Sequence, residues 1–155
     1  MNRCRNHKAC QTAALEQAEA ICAAHGVRLT PTRRAVLEEI WSNHEATKAY
    51  DLINRLSTQG ETVKPPTVYR ALDFLLTHGL IHRIESLNAF IGCTHPQQPH
   101  KAILMICTEC GDIDEIIDSQ THARLHELSQ TYNFSLESEI VELRGLCADC
   151  RTTRE

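Results

Sequence analysis

Residues 64–76 read Lys-Pro-Pro-Thr-Val-Tyr-Arg-Ala-Leu-Asp-Phe-Leu-Leu, and a glycine stands at position 79. Paired prolines suit a first helical turn, where an amide lacks a partner anyway, and Gly79 is a stop signal. The stretch therefore reads as one helix. A preceding helix, about Lys48 to Thr58, is read as burying Tyr50, Leu52, Ile53 and Leu56, and the polar connection Gln59 to Lys64 joins the two. Two helices so joined suit a helix-turn-helix, with the second as the DNA-reading element. Thr67, Tyr69 and Arg70 lie near its N-terminal part, where base edges are met, and Lys64 precedes it where phosphate would lie. Arg70 suits a forked contact to guanine, and Tyr69 suits a thymine methyl or a phosphate. The blander alternative puts Tyr69 in the core and Arg70 in solvent.

Upstream, Thr12 to His25 carries apolar residues at helical spacing and ends at Gly26. A helix starting at Thr30-Pro31 turns Ala35, Val36, Leu37, Ile40 and Trp41 inward. Downstream, Leu80 to Glu85 and Asn88 to Ile91 read as two short strands around Ser86-Leu87, a wing. The sequence thus predicts an N-terminal winged helix-turn-helix domain over 1–91, with 1–11 a flexible tail, and a hinge over 92–101 containing two prolines. Residues 102–155 form the second domain: strands at Ala102 to Cys107 and Asp112 to Ile117, a helix at Ser119 to Tyr132, and a strand from Phe134 to Leu146. The expected class is α+β, the second half being an α/β dimerisation domain on a three-stranded antiparallel sheet.

Charge is polarised along this plan. Residues 1–84 hold 11 Lys+Arg against 8 Asp+Glu, and residues 85–155 hold 5 against 12, so a net of -4 conceals a basic first half compatible with phosphate. No stretch approaches the roughly 20 apolar residues of a membrane span, and residues 1–10 are polar and basic, so a cytoplasmic location without membrane association is expected.

That compartment keeps thiols reduced, so eight cysteines point first to metal. Cys107-x-x-Cys110 and Cys147-x-x-Cys150 can each aim two sulfurs at one ion, and four thiolates make a closed structural zinc site with no position for water. A looser set is His82 on the wing, Cys93 at its end, His100 in the hinge and Glu115 on the next strand. A lone histidine is more often a core or surface residue than a ligand, and Glu115 could stand on a solvated edge. What the four share is that they bracket the linker, so an ion held by all of them would couple domain orientation to metal concentration. Cys22 fits a buried apolar role, and Cys4-x-x-His7-x-x-Cys10 supplies three ligand types on a terminal segment without making a site by itself.

Arg28-Leu29-Thr30-Pro31-x-Arg33, the 64–75 stretch and the two cysteine pairs resemble the ferric uptake regulator family over about Glu16 to Cys150. The paired prolines together with Gly79 to Ser86 most resemble its zinc uptake regulator branch. The resemblance implies a winged helix domain, a hinge and a dimerisation domain, and a metal-loaded homodimer that represses by binding palindromic operators in double-stranded DNA. It implies structural zinc at Cys107, Cys110, Cys147 and Cys150, and regulatory zinc at His82, Cys93, His100 and Glu115, two Zn2+ per subunit. It further implies DNA contacts by Tyr50 and Arg70, with Arg33 in the shared motif. Iron-sensing relatives carry a His-His-Asp-His run near the hinge, where this chain has His95-Pro96-Gln97-Gln98-Pro99-His100, and Cys93 adds a soft thiolate that suits zinc. His95 is left in solvent.

The expected function is a zinc-responsive transcriptional repressor of zinc-uptake genes, with an iron- or peroxide-responsive regulator of the same family as the alternative. An enzyme is not expected, and no small-molecule substrate with it: a zinc hydrolase using Glu115 as base would need an open metal position, and no His-Glu-x-x-His segment is present. A zinc-buffering dimer would differ by lacking sequence-specific DNA binding.

Overall fold

The computed structural model describes residues 7–42, 45–57, 62–98 and 100–153. The chain divides into two compact units, Met1–Pro99 and His100–Glu155.

The first unit is four helices and a hairpin: α1 (His7–Ala24), α2 (Pro31–Ile40), α3 (Ala49–Ser57), α4 (Pro65–Thr77), β1 (Ile81–Ile84) and β2 (Ala89–Gly92). Helix α2 starts where Thr30 is extended and its hydroxyl accepts from the Arg33 amide, and Pro31 occupies the first turn. Helix α4 starts on extended Lys64 followed by Pro65, and Gly79 beyond its end has φ +66°. Along α4 the buried residues are Val68, Ala71, Leu72 and Leu75, a three-and-four spacing that puts all of them on one face. They close on Val36, Leu37 and Ile40 of α2, Leu52 of α3 and Ala18 and Cys22 of α1. Each large aliphatic buried there contributes about 1.5–3 kcal/mol. The Cys22 thiol is raised first by this burial, which fits an inert packing role. Helix α1 begins at His7, earlier than the apolar pattern suggested, so Cys10 lies in the helix and packs partly against the core. Cys4 and the side chain of His7 lie outside the described residues.

Strands β1 and β2 pair antiparallel from Ile81 opposite Gly92 to Ile84 opposite Ala89, around a 3-10 turn at Glu85–Leu87 and a left-handed Asn88. The hairpin is tied to the chain before α3 by reciprocal backbone bonds between Thr47 and Phe90, of 2.9 and 2.8 Å. Gly92 is obligatory for a spatial reason, since a Cβ there would overlap the indole of Trp41.

The second unit contains β3 (Ile103–Cys107), β4 (Ile113–Ile116), α5 (Ser119–Thr131), β5 (Val141–Gly145) and α6 (Ala148–Thr152). Its sheet has the order β4-β3-β5 and is mixed, which corrects the expected all-antiparallel sheet: β3 and β4 are antiparallel, and β3 and β5 are parallel. The register gives the reason. Ile103 faces both Ile116, where β4 ends, and Val141, where β5 begins, so the excursion through α5 returns the chain to the end of the sheet it left. Part of the predicted last strand is this return path, because 134–140 carries no regular structure and β5 spans five residues. Helix α5 is capped by Asp118, whose carboxylate accepts from the Thr121 amide at 3.0 Å. No helix among the described residues is long and apolar enough to cross a membrane.

Candidate metal and nucleic-acid sites

In the second unit, β3 ends on the buried Cys107, and the turn through Cys110 closes at Gly111, whose φ of +74° requires a residue without Cβ strain. Cys107 pairs with Gly145, and the Thr108 amide donates to the Gly145 carbonyl at 2.8 Å, so the end of β5 delivers Cys147 beside that turn. Cys147 then caps α6, which carries Cys150. All four sulfurs lie within 4.8 Å of one another, and those of Cys110 and Cys147 are 3.9 Å apart. A zinc ion about 2.3 Å from each of four sulfurs sets them about 3.8 Å apart, so the cage fits that ion. Electrostatics agree with the need for a cation. The amide of Cys110, then that of Cys147, brings the Cys107 thiol down to about 6, whereas the neighbouring Cys147 thiol first of all pushes Cys150 up to about 12. Four thiols so close do not share negative charge without a positive ion among them.

The looser set falls into two pairs. In the second unit, His100 Nε2 stands 2.5 Å from Glu115 Oε1, and the Glu115 side chain is 4% exposed. In the first unit, His82 on β1 and Cys93 just after β2 offer ligand atoms within 4.8 Å of each other. Cys93 is 3% exposed, and its amide donates to the Leu80 carbonyl at 3.0 Å. Each pair supplies two donors, half of what tetrahedral zinc takes. Among the described residues His95 joins neither metal-ligand group, and its ring meets the Thr94 hydroxyl at 2.9 Å.

Thr67, Tyr69 and Arg70 on α4, beside its buried face, and Lys64 at its start are all exposed. Tyr69 is 52% exposed, which disfavours the core alternative for it. Tyr50 corrects the helical reading of α3: it is 71% exposed, because the buried face of that short helix is carried by Leu52 and Leu56. Arg33 has internal partners, its guanidinium 3.6 Å over the Phe74 ring and its Nη1 donating to the Arg28 carbonyl at 2.7 Å, so it braces α2 against α4. Tyr50 and Tyr69 line a depression of about 300 Å3 together with Lys48, Arg83 and Asn88. Sequence reading missed the last three. The available signal was that a lysine stands just ahead of α3 and that outward positions on the wing are polar.

The family model for the ferric uptake regulator family matches residues 24–144. The chain belongs to this family. Among its relatives, the chain is 42% identical to the "Zinc uptake regulation protein" of Escherichia coli strain K12, over 88% of this chain and 80% of that protein. It is 32% identical to the "Ferric uptake regulation protein" of the same strain, over 81% and 86% respectively. Among solved structures, one described as a zinc uptake regulator complexed with zinc and DNA matches with a TM-score of 0.87 and 40% identity, covering 93% of this chain and 97% of that one. A winged helix domain followed by a dimerisation domain is the architecture of this family, and the α+β assignment stands with it.

Proposed function

We propose that this family member is a zinc-responsive repressor of zinc-uptake genes that grips palindromic operator DNA as a homodimer in the cytoplasm, with two zinc ions per subunit. The observation that carries the reading is the pair of incomplete ligand sets, His82 with Cys93 and His100 with Glu115, one in each unit. In this reading the four act together on one regulatory ion, and the four cysteines hold a structural one. Zinc, when bound, supplies the charge and fixed geometry that join donors from separate units. The greater likeness to the zinc regulator than to the iron regulator supports the choice of metal, as does the thiolate of Cys93.

Arg70 then makes a forked contact to a guanine, Tyr50, Tyr69 and Thr67 contact bases or backbone, and Lys64 neutralises a phosphate. Arg33 serves by holding α4 in place. Dimerisation is supported by the second unit's surface. Strand β5 is an edge with Leu143 exposed, and α5 buries no residue. Leu128, Tyr132, Phe134 and Ile140 line an apolar depression of about 490 Å3 beside them. An edge strand with an apolar flank calls for a cover, and a second copy supplies one by two-fold symmetry.

The test is operator binding at controlled free zinc, with ferrous iron in parallel. Tight binding in zinc and weak binding in chelator are expected, with the cysteine-bound zinc retained throughout. Equal affinity in both buffers rejects zinc sensing, and a response to iron alone selects the iron-responsive reading instead.

A further inference from the structure

Three residues far apart in sequence close a ring in the second unit. Glu139 meets the Lys101 ammonium through Oε2 at 2.6 Å and the His122 ring through Oε1. The other His122 nitrogen, Nε2, meets the Lys101 carbonyl oxygen at 3.0 Å. The ammonium also lies 3.2 Å from His126 Nε2. Lys101 is therefore held at its main chain and at the tip of its side chain by groups on α5 and on the return path 134–140. The Glu139 side chain is 5% exposed and that of Lys101 47%, so the carboxylate is covered while the ammonium stays at the surface; the Lys101 ammonium first, then His122, holds the Glu139 carboxyl below the usual range.

The neighbours of this ring give it a role. Lys101 directly follows His100, whose imidazole meets Glu115 on β4. His100 thus meets Glu115 at its imidazole, and the residue directly after it, Lys101, is held at its own carbonyl and ammonium by His122 and Glu139. Glu139 also lines the apolar depression with Leu128, Tyr132, Phe134 and Ile140. One carboxylate therefore belongs both to the support of a metal-ligand candidate and to the surface that a second copy covers.

We propose that Lys101, His122 and Glu139 are positioning residues that couple the dimer face to His100, so that dimerisation and regulatory zinc binding strengthen each other. This rests on the reading that His100 holds regulatory zinc. Coupling of this kind is reciprocal: what dimerisation adds to zinc affinity, zinc adds to dimer affinity.

The experiment uses the full chain, with the second zinc titrated against a fluorescent chelator at protein concentrations above and below dimer dissociation, and the cysteine-bound zinc counted separately as a check of folding. In the wild type the second zinc should bind more weakly on dilution. In Glu139→Gln and His122→Gln it should bind about tenfold more weakly at high concentration, the low end for groups that support a ligand. In both variants the dependence on dilution should shrink. Lys101→Arg, which keeps the cation, should retain wild-type affinity, and Lys101→Met should not. Unchanged second-zinc affinity in both Glu139→Gln and His122→Gln, or an undiminished dilution effect in them, overturns the proposal alone. A wild type that binds only the cysteine-held zinc overturns the regulatory-site reading and the coupling together.

Discussion

The cysteine cage and the split histidine set differ in where their ligands come from. The four sulfurs belong to one unit, and the backbone bond from the Thr108 amide to the Gly145 carbonyl helps bring them together before any ion is considered. The other four donors are divided two and two between units that are compact separately. Under the proposed reading, zinc binding at the first site would go into holding a fold, whereas at the second it would be available for changing the relation between folded parts. In the proposed reading the same element therefore serves one small protein in two ways.

Disrupting the cage should have the largest effect. Cys147→Ser removes a ligand that also caps α6 and receives the Cys150 amide. Zinc content should fall by about one ion per subunit, and the second unit should lose its cooperative melt, as read by metal analysis and circular dichroism. Cys93→Ser should leave that melt intact and weaken only the second zinc, by at least about tenfold, so that operator binding returns when zinc is raised. If both substitutions unfold the same unit, the contrast between the sites is lost.

Arg70→Ala sharpens the comparison from the DNA side. Operator affinity should drop by about 1–3 kcal/mol, with specificity relaxed at one base position, and neither zinc should change. The smallest effect is expected at Asp118. Hydrogen bonds from Thr121, the hydroxyl before the amide, lower its carboxyl. A lowered carboxyl stabilises the fold above its ordinary value of 3.8, and that contribution disappears as pH falls through the still lower folded value. Melts of wild type and Asp118→Asn should therefore differ at neutral pH and converge in acid, while the zinc content of both stays equal at neutral pH.

Legibility followed sequence distance. Cys107-x-x-Cys110 and Cys147-x-x-Cys150 could be read because a two-residue gap constrains geometry by itself. The helix of 65–77 was legible because proline and glycine mark its ends. Strand direction was not, since the return through 134–140 depends on packing that leaves no periodic trace. The apolar count drew Tyr50 inward, yet α3 is only nine residues long and already filled its inner face with two leucines. The ring of Lys101, His122 and Glu139 was illegible for the same reason: separations of 17 to 38 residues carry no local pattern.

The hydrogen at the Cα of Gly92 leaves the space that the Trp41 indole fills, one residue ahead of a thiol proposed to sense metal. If that proposal holds, descendants of this chain can exchange donor types at 82 or 93 and so try other ions, but they inherit a glycine at 92 for as long as the Trp41 indole fills that space. Changes in metal preference and changes in the packing beneath the wing therefore have to be explored together.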